Sequence, residues 1–269
     1  VALRIAIQEN LLPGASRREQ FANAAAYGFG GIEARGHLLL GHEAEYRALA
    51  EEFGLPITTV CGGMQGCLLD PDPAERQAAV DSLLALLRAG SAVGGAHMIC
   101  VPIFGRPRLP DLSPYRTPVE LEEALLLPLL QQLARAAEAE RLTARLLLEP
   151  LNRYETHLLN RVEQAVELVE RVGSPSLGVI ADFFHMHIEE ADIDATLRRF
   201  SGRIDHLHLA DSNRKLPGQG HMAYAAHFAT LHAAGWSGTL ALECGILGDP
   251  PAELAKAAAL LNRLARPAA

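Results

Sequence analysis

Lysine is nearly missing from this sequence: Lys215 and Lys256 are the only two, and the arginines never gather beyond the pairs Arg17-Arg18 and Arg198-Arg199. With 24 basic residues against 32 acidic ones, the formal net charge is -8. The positive footprint of a nucleic-acid binder is therefore absent, and no nucleic-acid partner is expected. Apolar residues never run to the length of about eighteen that marks a membrane span, so no membrane partner is expected either. Cysteine is sparse. Cys61, Cys67, Cys100 and Cys244 form no Cys-x-x-Cys pair, which argues against structural zinc and suits a reducing compartment. Val1 to Glu9 carries one arginine and a short apolar stretch without a small-residue cleavage pattern, so no secretory leader is expected and the cytoplasm is the default location. A disordered chain is excluded, because 49% of the residues are hydrophobic and only 21% are charged.

Short apolar runs alternate with longer helical segments, the pattern of βα units around a parallel sheet. The expected strands are Leu3–Ile7, Gly31–Arg35, Ile57–Cys61, Met98–Pro102, Arg145–Glu149, Leu177–Asp182, Ile204–Ala210 and Thr239–Glu243. Each is rich in Ile, Val or Leu, as strands covered on both faces are. Between them, Thr117-Pro118-Val119-Glu120 reads as a capping box opening a helix through Arg141, with a kink or break expected at Pro128. Asn160 is the expected cap of a helix whose Val162, Val166, Val169 and Val172 share one face, and Gly173 with Ser174-Pro175 stops it. Leu83, Leu84 and Leu87 stripe a helix over Asp81–Gly90, and Pro251–Arg263 forms the last one. Three connections that follow strands are long: Gly62–Pro73, Ile103–Thr117 and Asp211–Ala223. Loops of that length usually serve a site. A (β/α)8 barrel takes about 250 residues, and residues 1–269 are read as one such barrel domain, its active site at the carboxyl ends of the strands.

The last residues of four consecutive strands carry the chemistry. Glu149, Asp182 and Glu243 end the fifth, sixth and eighth, and His208 stands near the end of the seventh. Alternation places Leu147, Ile180, His206 and Ala241 one layer below on the same inward side, so the polar side chains belong to the mouth. Three carboxylates and one imidazole favour one octahedral divalent ion. Mn2+ suits the set best, Co2+ or Mg2+ can replace it, and Zn2+ can occupy it. Open coordination positions would accept adjacent oxygens of a polyol.

The stretches Glu149-Pro150-Leu151-Asn152-Arg153-Tyr154-Glu155, Asp182-Phe183-Phe184-His185-Met186-His187-Ile188-Glu189-Glu190, His206-Leu207-His208, Asn213-Arg214 with Pro217-Gly218-Gln219-Gly220, and Leu242-Glu243 resemble the xylose isomerase-like barrel superfamily. Within it they are most similar to D-tagatose 3-epimerase-type ketose epimerases. The resemblance implies Glu149, Asp182, His208 and Glu243 as metal ligands, with Glu149 and Glu243 doubling as an acid/base pair on opposite faces of a sugar. It implies Glu155, His185 and Arg214 as substrate-binding residues at the carbonyl end. The implied reaction moves a proton next to a ketose carbonyl through an enediolate, with ketose 3-epimerisation foremost. Two departures bear on the substrate. Ala210-Asp211-Ser212-Asn213-Arg214 stands where these epimerases often read Gly-Glu-Cys-Asn-Arg, and Cys244-Gly245-Ile246 follows Glu243 where an aromatic residue is common.

Hydroxypyruvate isomerase-like and inosose dehydratase-like enzymes share the metal set and stay open. A zinc-dependent abasic-site endonuclease would need a further Asp-x-His pair, which the seventh-strand loop lacks, and a non-catalytic sugar-binding barrel leaves the ligand set idle. His206 is expected as a hydrogen-bonded core residue, and His157, His187 and His221 as loop residues. Glu33 either faces the mouth or pairs with Arg35 or another neighbour. Cys61, Cys67 and Phe104 are candidates for shaping the pocket, and Pro217-Gly218-Gln219-Gly220 for turning the chain. The outer helices carry enough Leu and Ala for a homo-oligomer as well as for packing on the sheet.

Overall fold

The computed structural model describes residues 2–267. Eight parallel strands close into one barrel in sequence order: β1 (Arg4–Gln8), β2 (Ile32–Arg35), β3 (Ile57–Cys61), β4 (His97–Cys100), β5 (Leu146–Leu148), β6 (Leu177–Asp182), β7 (Ile204–Leu209) and β8 (Thr239–Leu242). All the expected strands are present; β3 and β6 have the expected bounds, and the other strands differ by one or two residues at one or both ends. The shift matters at β5 and β8, which stop one residue short of Glu149 and Glu243. The backbone still holds both residues: Glu149 N–H donates to Cys100 O (3.0 Å) and Glu243 N–H to Leu209 O (3.2 Å).

Apolar packing falls into two layers. The larger core lies between the outward strand faces and the helices, and the smaller one fills the barrel with Cys61, Ile99, Leu147 and Ile180. Leu147 and Ile180 thus occupy the inward layer that alternation assigns to them. The polar set above them sits on a solid floor.

Two expectations about helices need correction, and of the kink or break expected at Pro128 the break is absent. The helix Pro118–Ala139 runs unbroken through Pro128. An interior proline costs a helix about 3 kcal/mol, but here Leu126, Leu130 and Leu133 on the same helix are buried, and that packing outweighs the lost bond. The capping box at Thr117 and Glu120 forms as read. Asn160 does not cap its helix. That helix spans Val162–Val172, and Gln164 Oε1 accepts the N–H groups of Asn160 and Arg161 while Glu190 Oε1 accepts that of Val162. The Asn160 amide is turned back onto Leu151 O and Thr156 O, pinning the loop after β5. His187 lies in the helix Phe183–Glu189 rather than in a loop. His157 is a staple: its ring bonds the Glu122 carboxylate and Gly105 O, joining the long helix to the loop after β4.

Candidate active site

At the carboxyl end of the barrel the register Asp182↔His208↔Ala241 sets three neighbouring strands level. Glu149, Asp182, His208 and Glu243 each offer one donor atom, and these atoms all lie within 4.8 Å of one another. Asp182 is divided between two tasks. Its Oδ1 accepts Phe184 N–H at 2.7 Å and caps the helix Phe183–Glu189, while Oδ2 is left free.

Three atoms of this set, Glu149 Oε1, Asp182 Oδ2 and His208 Nδ1, are buried without a hydrogen-bond partner. Buried polar atoms normally find partners, and leaving one unmet costs about 1–3 kcal/mol. Three such atoms converging on one point, from hard oxygen donors and an imidazole, fit a divalent cation. The imidazole is aimed by its other nitrogen. His208 Nε2 lies 3.0 and 3.1 Å from the two oxygens of Glu33. A carboxylate can only accept, so Nε2 carries a proton and Nδ1 is the nitrogen turned to the cluster, 3.1 Å from Glu243 Oε2, where a bound cation would take the place of its proton.

Glu33 is fully buried and belongs to a second polar layer that sequence reasoning placed only loosely. Besides His208 it accepts Gln8 Nε2 (2.8 Å) and Thr59 Oγ1 (2.5 Å), and His206 Nε2 stands 3.4 Å away. It pairs with these neighbours, not with Arg35. Gln8 also donates to Glu243 Oε1 at 2.9 Å, linking the two layers. His206 is in the core as expected, but its Nε2 makes no hydrogen bond of good geometry. Gln8 was not singled out. Its signal was a polar residue at the inward end of an apolar strand, directly opposite Glu33 in the β1–β2 register.

The charges are strongly interdependent. Burial alone would lower the His208 pKa, but Glu33 and Glu243 beside it push it well above the ordinary histidine value. Burial would raise Glu33 and Glu243. His208 instead carries Glu33 well below the carboxylate range and Glu243 to about 2. Burial dominates at Asp182, raising it to about 7, and also raises Glu149.

Glu155, His185 and Arg214 lie beside this cluster. Arg214 Nη1 is 3.2 Å from Glu155 Oε1, its Nη2 is 3.3 Å from Glu243 Oε2, and its guanidinium rests 4.8 Å from the Phe184 ring centroid. His185 Nδ1 accepts Asn152 N–H at 3.2 Å, and its Nε2 stands 3.6 Å from Asp182 Oδ2. Burial, then the nearby Arg214, lowers His185 to about 3, so its ring is neutral. Arg214 itself has φ +57°, a conformation a non-glycine residue adopts only when its surroundings impose it. Arg214 N–H donates to Asp211 O at 2.7 Å and its O accepts Gly245 N–H at 2.8 Å, and the loop around it is organised by the Asp211 side chain. Its carboxylate accepts N–H from Ser212, Gly218 and Met222 at 2.8–2.9 Å, so Pro217-Gly218-Gln219-Gly220 wraps an acid rather than a phosphate. A Cβ at Gly220 would stand 2.3 Å from Asp211 Oδ1, so only glycine fits there.

A cavity of about 210 Å³ opens over the cluster, lined in part by Glu149, Glu155, Arg214, Glu243, Arg35 and Met64. Cys61 and Phe104 also line it, whereas Cys67 is turned into the outer core. A larger cleft of about 400 Å³ at the amino ends of β5–β7 holds Arg145, Glu170, Arg203 and Asp205. Its charges are paired among themselves, Arg145 with Asp205 and Arg203 with Glu170.

A model of the xylose isomerase-like TIM barrel family matches residues 21–264. The chain belongs to that family. It is 31% identical over 237 residues to the 3-dehydro-D-guloside 4-epimerase of Escherichia coli (strain K12), covering 87% of this chain and 89% of that relative. It is 29% identical over 205 residues to the D-psicose 3-epimerase of Ruminiclostridium cellulolyticum, covering 74% and 67%. Among solved structures, the apo form of 3-keto-D-glucoside 4-epimerase from E. coli superposes with a TM-score of 0.88 at 29% identity over 97% of this chain and 99% of that one. L-ribulose 3-epimerase (TM-score 0.82, 23% identity) shares the fold. These relatives of the barrel are thus ketose 3-epimerases and a sugar 4-epimerase. No helix among the described residues is long and apolar enough to cross a membrane.

Proposed function

We propose that the protein is a metal-dependent sugar epimerase that inverts a hydroxyl-bearing carbon next to a ketone. The observation that carries this reading is the convergence of unpartnered Glu149 Oε1, Asp182 Oδ2 and His208 Nδ1 beside Glu243, beneath a cavity of sugar size. Epimerisation at C3 of a 2-ketose and at C4 of a 3-keto sugar pose the same problem, because each affected carbon is adjacent to the carbonyl. Both kinds of relative therefore support one chemistry.

Glu149, Asp182, His208 and Glu243 are the residues that would hold the metal, and their oxygen-rich set favours Mn2+, with Co2+, Mg2+ or Zn2+ as substitutes. When bound, the cation supplies positive charge beside the ketone and its neighbouring hydroxyl, lowering the cost of the negative charge that deprotonation creates there. Glu149 and Glu243 are the acid/base pair: one carboxylate accepts the proton from carbon and the other delivers a proton to the opposite face. Glu155, His185 and Arg214 grip the oxygens at the carbonyl end. His185, held neutral and fixed by Asn152, turns Nε2 to the pocket beside Arg214 Nη1 at 3.2 Å, and Arg214 keeps the Glu243 carboxylate oriented. The Asp211-centred loop holds Arg214 in its left-handed conformation so that this grip is preformed.

The test is solvent exchange. Metal-stripped protein reloaded with Mn2+ is incubated in D2O with a panel of ketoses and 3-keto glycosides, and the separated sugars are read by NMR. Deuterium on the carbon next to the ketone, together with the new epimer, is the expected result. Deuterium at C1 with an aldose product would instead identify an aldose-ketose isomerase.

A further inference from the structure

The mouth contains two guanidinium groups on different sides, and only one is neutralised. Arg214 is paired with Glu155 and Glu243. Arg35, the last residue of β2, also lines the cavity, and in the closed barrel β2 lies diametrically opposite β6. Among the described residues no carboxylate oxygen lies within 4.0 Å of its guanidinium. Its one side-chain hydrogen bond runs from Nη1 to Cys61 Sγ at 3.5 Å, and sulfur is a weak acceptor.

The position is built. Arg35 N–H donates to the buried Glu9 carboxylate, which Tyr46 Oη holds from the other side at 2.6 Å. Gly62 stands where a Cβ would come within 3.1 Å of Nη2, so the missing side chain leaves the guanidinium its room. Met64, Val101 and Phe104 on the neighbouring wall offer no anionic group, and only the weak thioether acceptor of Met64. A guanidinium that lines a pocket with no anion of its own is placed to take one from a ligand.

Resting on the epimerase reading, we propose that Arg35 selects a sugar acid, holding the substrate's carboxylate on the β2 side while the reacting carbon lies between Glu149 and Glu243. One guanidinium fork matches the two oxygens and single charge of a carboxylate. A phosphate dianion would find one cation only, because Arg214 is already paired.

The experiment compares ketoses that differ only at C6. Fructose, tagatose and sorbose, each with its C6 carboxylate counterpart and its 6-phosphate, are titrated calorimetrically into Mn2+-reconstituted protein, wild type and Arg35→Gln. The same samples are read for deuterium exchange. For at least one pair the carboxylate form is expected to bind about 10- to 100-fold tighter than the neutral sugar, the worth of one hydrogen-bonded charge. That ratio collapses toward unity in Arg35→Gln. Arg35→Lys, which keeps the charge without the fork, retains part of the ratio and guards against misfolding as the cause. Equal binding of acid and neutral sugar, a preference that survives Arg35→Gln, a preference for the phosphate, or no binding of any probe overturns the proposal. Arg35-dependent acid binding without exchange would uphold it and sink the epimerase reading. Exchange without the acid preference would do the reverse.

Discussion

The two halves of the barrel mouth are built on different terms. From β5 to β8 each strand end delivers a metal-capable side chain, and the adjoining loops add Glu155, His185 and Arg214. From β1 to β4 the strand ends deliver Gln8, Arg35, Cys61 and Cys100, and the walls above are largely apolar. One half holds groups that leave lone pairs unmet. The other meets them from behind or lines the space. The comparison teaches that the unmet lone pairs suited to a cation gather on one side of the mouth, while Gln8 and Glu33 on the other side support them from behind.

The sharpest way to break this division is to disable one carboxylate at a time. Glu149→Gln and Glu243→Gln are each expected to lower deuterium exchange by about 10²–10⁴-fold, the range of general acid–base catalysis. Metal content, measured in parallel by mass spectrometry, separates lost chemistry from lost metal. Full exchange by metal-loaded Glu243→Gln would remove it from the acid/base pair. Next in size is Arg214→Ala, expected to raise KM by about 10- to 100-fold with a smaller change in kcat, since hydrogen bonds to a charged group are lost from substrate binding.

Glu33→Gln tests the traffic between the halves. Glu33 is not one of the four proposed metal ligands, yet it bonds one of them, and the substitution removes the full carboxylate that orients the His208 ring. Metal affinity is expected to weaken about 10- to 100-fold by calorimetry, the usual effect of an outer-shell partner. Unchanged affinity would show that His208 needs no support from the front half. The smallest effect is expected at Asp211→Asn, about 1–3 kcal/mol in denaturant unfolding from weakened charge-assisted acceptors. Burial raises the Asp211 carboxyl, but the N–H groups of Met222, Ser212 and Gly218 more than offset it, and its pKa lies below the ordinary value. A carboxyl lowered by folding stabilises the protein above its unfolded pKa, near 3.9, and that contribution fades as pH falls through the folded value. The stability difference between Asp211 and Asp211→Asn should therefore shrink in acid, and a gap constant down to low pH would deny the charge its role.

The back half was legible because its residues obey strand-end grammar. Glu149, Asp182 and Glu243 close apolar runs, where a carboxylate interrupts a pattern that otherwise continues. The front half was not, because its polar residues take their meaning from partners that lie far away in the chain. Glu33 meets His208 across 175 positions and Gln8 meets Glu243 across 235. Asn160 misled for a related reason: a side chain able to cap by local criteria was taken up instead by the loop after β5.

The sequence by itself determined the alternation of strands and helices, the closed barrel, the end of the barrel where metal-capable side chains gather and the donor types found there. Periodicity and residue identity are local properties that survive without coordinates. Tertiary structure alone decided which lone pairs are left unmet, which nitrogen of His208 faces the cluster, why Arg214 adopts φ +57° and that Arg35 stands without an anion. Each of these depends on distances between residues remote in the chain, and only barrel closure sets such distances.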